Sequence, residues 1–238
     1  MRSVLIIGGS RGIGAAMVRR FAAAGDRVCF TWNRSGEAAG KLAAETGAEA
    51  IRADGTETEQ TARAVRRAEE TAGPIDVLIC CAGVSLTKML MDTTDEEFRR
   101  VMDTNLFGTF AAIREVLPGM FWRRKGCILT VSSIWGQDGA SCEAVYSASK
   151  AAVIALTQAA AKEAAGAGVR VNCIAPGMID TEMNDHLSPE EKEEIAGEIP
   201  LGRMGTPEDV AETAFFLAGD GAGYITGQVI PVNGGWKM

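Results

Sequence analysis

Residues 4–14 of the chain read VLIIGGSRGIG, and this stretch decides the fold. Its first four residues are apolar without alternation, which predicts a strand that is covered on both faces. Glycines at positions 8, 12 and 14 follow, and helical spacing of apolar residues begins at Ile13. Glycine is needed where a backbone turns tightly against a phosphate, and the positive end of the following helix attracts the anion. A plain turn from strand to helix is the alternative, but the position directly after the first strand favours a nucleotide-binding loop.

The same alternation of strand and helix continues along all 238 residues, which predicts a doubly wound parallel sheet. Apolar runs predict strands at Val4–Ile7, Val28–Trp32, Ala50–Ala53, Val77–Cys80, Cys127–Val131, Val169–Ala175 and Val229–Val232. Ala-rich segments predict helices at Ile13–Ala24, Glu37–Glu45, Glu57–Thr71, Asp95–Arg124, Tyr146–Ala165 and Pro207–Leu217. The polar stretch Gly177–Gly205 is expected to be an irregular lid over a site. We therefore expect one Rossmann-type α/β domain over residues 1–238, with about seven strands and helices on both faces.

The composition excludes several classes of protein. Hydrophobic residues make up 47% of the chain and charged residues 23%, which is ordinary for a globular domain and excludes extensive disorder. The net charge of −7 argues against a nucleic-acid partner, because nonspecific binding to phosphates requires a basic surface. No apolar run approaches the ~20 residues of a membrane span, and the amino terminus lacks a signal-peptide pattern. The six cysteines show no zinc-ligand spacing, so we expect no metal site and free thiols in a reducing cytoplasm.

The end of the second predicted strand bears on the choice of cofactor. Folds that bind NAD usually place a carboxylate there, which holds the ribose 2′-hydroxyl group. This chain has Asn33, Arg34 and Ser35 instead, and Arg11 lies in the glycine turn. Two guanidinium groups favour a 2′-phosphate, so we expect NADP(H). In the alternative interpretation, Arg34 is only a solvated loop residue.

Tyr146 and Lys150 form a candidate proton-transfer pair. They are four residues apart near the start of a predicted helix, so both side chains lie on one face. A tyrosine pKa of about 10 is too high for acid–base work at neutral pH, and we expect the lysine ammonium to lower it. Ser133 ends the fifth predicted strand and could hold a carbonyl oxygen, while Asn105 could hold a water in a proton relay. A surface pair on an amphipathic helix is the alternative for Tyr146 and Lys150 alone, but the accompanying residues favour catalysis.

These motifs resemble those of the classical short-chain dehydrogenases/reductases over nearly the whole chain. The resemblance is carried by Gly8-x-x-x-Gly12-x-Gly14, Asp54, Cys80-Cys81-Ala82-Gly83, Asn105, Ser133, Tyr146-x-x-x-Lys150, Pro176-Gly177 and Asn233-Gly234-Gly235. It implies a nicotinamide cofactor and a catalytic set of four residues, Asn105, Ser133, Tyr146 and Lys150. In the implied reaction a hydride passes to a carbonyl carbon, Ser133 and Tyr146 hold the carbonyl oxygen, and Tyr146 gives the proton. Lys150 also holds the nicotinamide ribose.

The resemblance extends to the residues that hold the cofactor. It implies that Asp54 meets the adenine and that Pro176–Thr181 meets the nicotinamide amide. Together with the glycine turn and the second strand end, the expected set is Gly8, Ser10, Arg11, Gly12, Ile13, Gly14, Asn33, Arg34, Ser35, Asp54, Gly55, Cys81, Ala82, Gly83, Tyr146, Lys150, Pro176, Gly177, Ile179 and Thr181.

Within the family, the chain is most similar to bacterial 3-oxoacyl-[acyl-carrier-protein] reductases. This similarity implies a role in fatty acid biosynthesis, a 3-oxoacyl thioester or similar ketone as substrate, and a homotetramer. The block Ser133–Gly136, together with Gly139–Glu143, also resembles reductases of the 5-aminopentanone modification on elongation factor P. Acyl carrier protein and elongation factor P are therefore alternative carriers of the ketone. We expect the shape of the substrate pocket to depend on Trp135, Cys142 and the stretch Gly177–Gly205.

The chain departs from the family pattern at two places that bear on function. Cys80 and Cys81 replace the usual pair of asparagines, and Ala167 occupies a position that is often basic in carrier-protein reductases. The basic run Arg123–Lys125 either complements a helix dipole or receives an acidic carrier protein.

Three rival functions remain open from the sequence. The stretch Gly8–Gly12 matches the G-x-S-x-G elbow of hydrolases, for which His186, the only histidine, would be the base. The stretch Ser147–Lys150 matches the S-x-x-K motif of penicillin-recognising enzymes, although their companion motifs are absent. A non-enzymatic NADP sensor on the same fold needs no catalytic tyrosine, so the complete set of four residues favours an enzyme.

Overall fold

Alternation along the first strand shows how the sheet acquires two cores. In the computed structural model, which describes residues 1–185 and 187–236, Val4 and Ile6 pack into one apolar cluster and Leu5 and Ile7 into another. Successive strand side chains point to opposite faces, so an entirely apolar strand must be covered on both sides. All four side chains are buried, as the pattern predicts.

The described residues contain seven strands, each within one residue of its predicted position. They are β1 (Ser3–Ile7), β2 (Arg27–Trp32), β3 (Glu49–Arg52), β4 (Val77–Cys80), β5 (Gly126–Val131), β6 (Val169–Pro176) and β7 (Val229–Val232). All pair in parallel, in the order β3-β2-β1-β4-β5-β6-β7. In this single-domain α/β fold the strand order reverses between β1 and β4, and ligands of such sheets bind beyond the carboxyl ends of the strands at that point.

Helices cover both faces of the sheet. They are α1 (Gly12–Ala23), α2 (Gly36–Thr46), α3 (Thr58–Ala72), α4 (Asp95–Met102), α5 (Gly108–Arg123), α6 (Ile134–Gln137), α7 (Ala144–Ala164), α8 (Pro189–Glu198) and α9 (Pro207–Leu217). Helices α1, α2 and α9 supply the cluster that contains Val4 and Ile6. Helices α3, α5 and α7 supply the cluster that contains Leu5 and Ile7.

The prediction of one continuous helix over Asp95–Arg124 is wrong. Helix α4 ends at Met102, a π-helical segment follows at Asp103–Phe107, and α5 begins at Gly108. A π-helical turn contains one residue more than an α-helical turn and frequently occurs at functional sites. Asn105 lies within this segment, and its hydrogen bonds to other elements stabilise a turn that apolar spacing alone cannot reveal.

The prediction of an irregular stretch over Gly177–Gly205 is wrong at its centre, where α8 forms. The Ser188 hydroxyl accepts the Glu191 N–H at 3.2 Å, and the Glu191 carboxylate accepts the Ser188 N–H at 2.8 Å. This capping box, with Pro189 in the first turn, was the available sequence signal. The helix was missed because it is mostly polar and carries no apolar stripe.

Among the described residues, no helix is both long and apolar enough to cross a membrane. The same residues contain no group of histidine, cysteine, aspartate and glutamate side chains that could hold a metal ion. All six cysteines are free thiols.

Candidate active site

The glycine turn between β1 and α1 brings backbone against backbone. Gly8 has a φ of +82°, and a Cβ atom on it would lie 2.6 Å from the Cα atom of Ala82. A Cβ atom on Gly14 would collide with the carbonyl oxygen of Gly8, so neither position has room for a side chain. Within the described chain, no side chain caps the amino end of α1, which leaves its first N–H groups open to an anion.

The loop Pro176–Thr181 after β6 meets the same turn. A Cβ atom on Gly12 would lie 3.4 Å from Cγ2 of Thr181. Ile179 is buried and forms a β-bridge with Gly205, and this bridge holds the loop in place. Two predicted cofactor segments that are far apart in the sequence therefore come into contact.

The end of β2 is tied to the end of β3. Asn33 Nδ2 donates to Asp54 Oδ2 at 2.9 Å. Burial raises the pKa of Asp54, but hydrogen bonds from Thr56 and Asn33 outweigh burial and hold that pKa below its ordinary value. Arg11 and Arg34 are exposed, and neither guanidinium takes part in an ion pair within the described residues. Asn33 therefore positions Asp54, while the two arginines are available to a ligand.

The predicted cofactor-binding residues share one edge of the sheet. Apart from Tyr146 and Lys150, which lie on α7, each is at or just beyond the carboxyl end of β1, β2, β3, β4 or β6. This is the edge at which the strand order reverses, so the placement matches that of ligand sites in open α/β sheets.

The predicted catalytic side chains meet beyond the ends of β4 and β5. Tyr146 and Lys150 lie on consecutive turns of α7, and Nζ of Lys150 is 5.8 Å from the centroid of the Tyr146 ring. Ser133, just beyond β5, forms a hydrogen bond with Tyr146. Lys150 Nζ donates to the Val131 carbonyl oxygen at 3.0 Å, which anchors the lysine to β5. Tyr146, Ser133, Lys150 and Asn105 are all buried.

Burial controls the ionisation of this pair. It raises the pKa of Tyr146 to about 12; the hydrogen bond with Ser133 lowers that pKa, and the negative charge of Glu143 raises it. Burial also lowers the pKa of Lys150. The prediction that Lys150 brings the Tyr146 pKa below its ordinary value is therefore wrong, because burial raises that pKa by more than the hydrogen bond with Ser133 lowers it. Tyr146 is protonated at neutral pH, which is the form that donates a proton.

Asn105 joins the loop after β4 to α7. Its Oδ1 accepts the Val84 N–H at 2.8 Å, and its Nδ2 donates to the Val84 carbonyl oxygen at 3.0 Å and to Ser149 Oγ at 2.9 Å. A Cβ atom on Gly83 would lie 3.1 Å from Lys150 Nζ and 3.3 Å from Asn105 Oδ1. The missing side chain of Gly83 lets the amine and the amide both approach this loop, so the geometry gives Asn105 a positioning contact.

Cys80 and Cys81 stand where the family usually has asparagines, and the backbone supplies the connection to β1. The N–H groups of Cys81 and Ala82 both donate to the Ile7 carbonyl oxygen at 2.9 Å. Burial raises the pKa of the Cys81 thiol to about 11, although the charge of Lys150 lowers it. Both thiols are therefore uncharged at neutral pH.

Aromatic and sulfur side chains contact one another on the segments next to the predicted catalytic residues. The rings of Trp135 and Trp236 meet edge to face with centroids 5.5 Å apart, and Trp236 Nε1 donates to Glu198 Oε2 at 3.3 Å. On another side the Cys142 thiol donates to Met89 Sδ at 3.5 Å. Trp135 and Cys142 were expected here, whereas Trp236 and Met89 were not, because no local sequence pattern connects them to the site.

The basic run Arg123–Lys125 is bound within the protein. An Arg124 guanidinium nitrogen donates to the Gly166 carbonyl oxygen at 2.8 Å, and Lys125 Nζ lies 3.9 Å from an Asp76 carboxylate oxygen. The run directly precedes β5, so it lies at the amino edge of the sheet, opposite the predicted catalytic residues. These contacts agree with the helix-terminus interpretation of the run.

Two residues of the rival motifs can be located. The Ser147 hydroxyl accepts the Ala140 N–H at 3.2 Å, and Lys150 of the same S-x-x-K match is bound to β5. His186, the base that a hydrolase would require, lies outside the described residues.

Comparison with known proteins defines the class. A family model described as "Enoyl-(Acyl carrier protein) reductase" matches residues 8–237. A solved structure titled "Crystal structure of gox2181" has a TM-score of 0.92 and 32% sequence identity, with coverage of 99% of this chain and 95% of that chain. The chain belongs to the short-chain dehydrogenase/reductase family and is an oxidoreductase.

Particular relatives cover almost the whole chain. "3-oxoacyl-[acyl-carrier-protein] reductase FabG" of Staphylococcus aureus (strain Mu50 / ATCC 700699) is 40% identical, over 100% of this chain and 98% of its own. "Acetoacetyl-CoA reductase" of Shinella zoogloeoides is 41% identical, over 98% of both chains. "Uncharacterized oxidoreductase YmfI" of Bacillus subtilis (strain 168) is 37% identical, over 99% of this chain and 98% of its own. The predicted similarity to 3-oxoacyl-[acyl-carrier-protein] reductases is confirmed.

Proposed function

We propose that the protein is an NADPH-dependent ketoreductase, which reduces a 3-oxoacyl thioester or a similar ketone to a secondary alcohol. The observation that carries this proposal is the buried, protonated Tyr146, which is hydrogen-bonded to Ser133 and lies beside Lys150. A proton donor and a second hydroxyl group at one point are what a carbonyl oxygen requires when it becomes an alcohol. The names of two relatives, FabG and acetoacetyl-CoA reductase, agree with this chemistry.

The residues at the carboxyl edge fit a phosphorylated dinucleotide. The glycine turn has no room for side chains, and the uncapped end of α1 suits a diphosphate. Arg11 and Arg34 suit a 2′-phosphate, and the strand end carries Asn33 instead of the carboxylate that would repel it. Asp54, Cys81–Gly83 and Pro176–Thr181 complete the proposed cofactor site. When bound, the nicotinamide cofactor supplies the hydride to the carbonyl carbon.

The side chains of the site bind the carbonyl oxygen and supply its proton. Ser133 and Tyr146 hold the oxygen, and the Tyr146 hydroxyl transfers its proton to it. The Ser133 hydrogen bond and the Lys150 ammonium stabilise the resulting phenolate. Asn105 holds the loop after β4 in place and, through the remaining lone pair on Oδ1, can order a water that returns a proton towards Lys150.

A second candidate is reduction of an amine-bearing ketone on elongation factor P. The observation that favours it is negative charge at the site: Glu143 acts on Tyr146, and Glu198 is bound to Trp236 beside Trp135. Carboxylates and aromatic rings suit a cationic amine. Helix α8 also contains five glutamates and a single lysine, which favours a cationic partner over an acidic carrier protein.

We further propose a homotetramer in the cytoplasm. An apolar cleft of about 390 Å³ lies on the outer face of α4, the π-helical segment, α5 and α7, and is lined by Met102, Asp103, Leu106, Phe107, Phe110 and Leu156. Exposed aromatic side chains such as Phe110 support burial of this face against another copy. The six free thiols support a reducing compartment. In the proposed domain, the segment 177–205 with α8 acts as the substrate lid.

The test is NADPH oxidation by the purified protein, followed by loss of absorbance. Substrates are a 3-oxoacyl-carrier protein, acetoacetyl-CoA, aminopentanone-modified elongation factor P, and free ketones. Turnover of the thioesters is expected, with the secondary alcohol as product. Turnover of modified elongation factor P without any thioester would select the second candidate, and absence of turnover with every ketone would overturn both.

A further inference from the structure

We propose that Trp236 is a specificity-determining residue, which with Trp135 forms an aromatic wall that limits the chain length of the ketone. This inference rests on the proposed ketoreductase function. It concerns a residue that lies 90 positions after Tyr146 in the sequence, and only the fold brings it to the site.

A tight turn follows β7 and sets the position of Trp236. Gly234 and Gly235 have φ values of +63° and +85°, which residues with a side chain rarely adopt. The Asn233 side chain accepts the Gly235 N–H at 3.0 Å, and its carbonyl oxygen accepts the Trp236 N–H at 3.1 Å. The turn is held by hydrogen bonds at each step, so the position of the indole is defined by the backbone.

The Trp236 indole contacts Trp135, which lies beside the predicted catalytic residue Ser133. Trp135 lies two residues after Ser133, and its N–H donates to Ser133 Oγ at 3.1 Å. Its ring meets the Trp236 ring edge to face, an arrangement favoured by the charge distribution of aromatic rings. A Cβ atom on Gly177 would lie 2.8 Å from the Cα atom of Asn233, so the end of β6 lies directly under the base of this turn. The pair therefore spans from the end of β5 to the end of β7.

The aromatic wall of Trp135 and Trp236 is also hydrogen-bonded to the segment 177–205, the proposed lid. The Trp236 indole N–H donates to Glu198, the last residue of α8, and the Gly234 carbonyl oxygen accepts the Leu201 N–H at 3.1 Å. Ile199, between these two contacts, is buried. Movement of Trp236 would therefore disturb the carboxyl end of α8 as well as Trp135.

The two indole rings of Trp135 and Trp236 therefore form a bulky apolar boundary, which begins in the short helix α6 directly after Ser133. A short acyl group fits in front of two indole rings and gains apolar contact with them. A long acyl group would have to displace the pair and break the link to Glu198. The expected substrate class is therefore short-chain 3-oxoacyl compounds.

The experiment compares kcat/KM for acetoacetyl and 3-oxododecanoyl thioesters in the wild type, Trp236→Ala and Trp135→Ala. Removing one ring is expected to raise the ratio of long-chain to short-chain kcat/KM by about tenfold, because a few methylene contacts carry discrimination of that size. The change is expected mainly in KM for the long thioester. Glu198→Ala is expected to shift the ratio in the same direction by a smaller factor.

The matched control is Trp122→Ala, which removes an indole that is 90% exposed at the opposite edge of the sheet and should leave the ratio unchanged. Should Trp236→Ala fail to fold, Trp236→Leu keeps apolar contact and still shortens the wall. An unchanged ratio in folded Trp236 and Trp135 variants, with an active wild type, overturns this inference alone. A wild type that reduces no ketone overturns the proposed function, and this inference with it.

Discussion

The carboxyl and amino edges of the sheet use their polar side chains differently. At the amino edge, Arg2 forms a 2.6 Å ion pair with Asp26 and also donates to the Ala218 carbonyl oxygen at 3.0 Å. Arg170 donates to the Leu217 carbonyl oxygen at 2.8 Å. At the carboxyl edge, Arg11 and Arg34 are exposed with no ion pair among the described residues.

The difference separates groups that stabilise the fold from groups that are open to a ligand. A guanidinium bound to backbone carbonyl groups and a carboxylate has its hydrogen bonds satisfied, so its removal costs stability. A guanidinium without such partners contributes little to the folded state and can bind an incoming phosphate. We therefore expect substitutions at the amino edge to change stability and substitutions at the carboxyl edge to change activity.

The largest expected effect is the loss of activity in Tyr146→Phe. The substitution removes the proton donor and almost no volume, so turnover should fall by about 10²–10⁴-fold while cofactor binding and the melting temperature are retained. The matched control is Tyr224→Phe, the other tyrosine of the chain, which is fully exposed. Retention of more than about a tenth of the wild-type rate would contradict the proposed role.

Arg34→Asp should reverse a preference for NADPH over NADH. A charge-assisted contact to the 2′-phosphate is worth about 1.5–3 kcal/mol, and the aspartate would favour a free ribose hydroxyl group instead. The measurement is kcat/KM for each cofactor in the wild type, in the variant, and in Arg63→Asp as an exposed control on α3. Equal values for both cofactors in the wild type would show that the arginines do not select the cofactor.

Arg2→Ala should lower the free energy of unfolding by about 1–3 kcal/mol and leave kcat unchanged. The side chain of Asp26 is only 6% exposed, so the loss of the Arg2 side chain leaves a buried carboxylate without its ion pair at the amino edge. Arg99→Ala, which removes an exposed 3.4 Å pair with Asp95, should cost less than about 0.5 kcal/mol. Chemical denaturation measures both, and equal losses would remove the proposed distinction between the edges.

The rate of ketone reduction should decrease at alkaline pH. Tyr146 must be protonated and Lys150 charged; the Tyr146 pKa is raised to about 12, whereas the Lys150 pKa is lowered. As the pH rises, Lys150 therefore loses its proton first and Tyr146 second, and both losses reduce the rate. The value of kcat/KM for the ketone should therefore decrease as the pH rises. A rate that increases from neutral to alkaline pH would require the phenolate as the active form.

The smallest expected effect is that of Arg124→Glu. The residue has a φ of +53° at the end of α5 and bonds to Gly166, so its charge reversal should cost under about 1 kcal/mol of stability. Because the run lies opposite the site, KM for carrier-linked and free ketones should be equally unaffected. A selective rise in KM for the protein-linked ketone, mimicked in the wild type by added salt, would instead establish the run as a docking surface.

The sequence predicted the strands well because strands buried on both faces must be apolar throughout, and that pattern is local. The positions of Ser133, Tyr146 and Lys150 were also readable, since one follows a strand end and the others share a helix face. The π-helical segment around Asn105 was not readable, because its stabilising contacts come from Val84 and Ser149 on other elements. Helix α8 was missed despite its capping box, because the expectation for that stretch relied on apolar spacing.

The sequence by itself determined the positions of the strands, the glycine turn and the membership of the family, because each depends on residues close together in the chain. Only the tertiary structure decided the direction of the Tyr146 pKa shift, since burial beneath several elements outweighs the hydrogen bond with Ser133. It alone placed Trp236 against Trp135. It also supplied the hydrogen-bond and ion-pair partners of Arg123–Lys125, at the edge of the sheet away from the site. Burial and contacts across long sequence separations depend on how all the layers pack, and no local pattern encodes them.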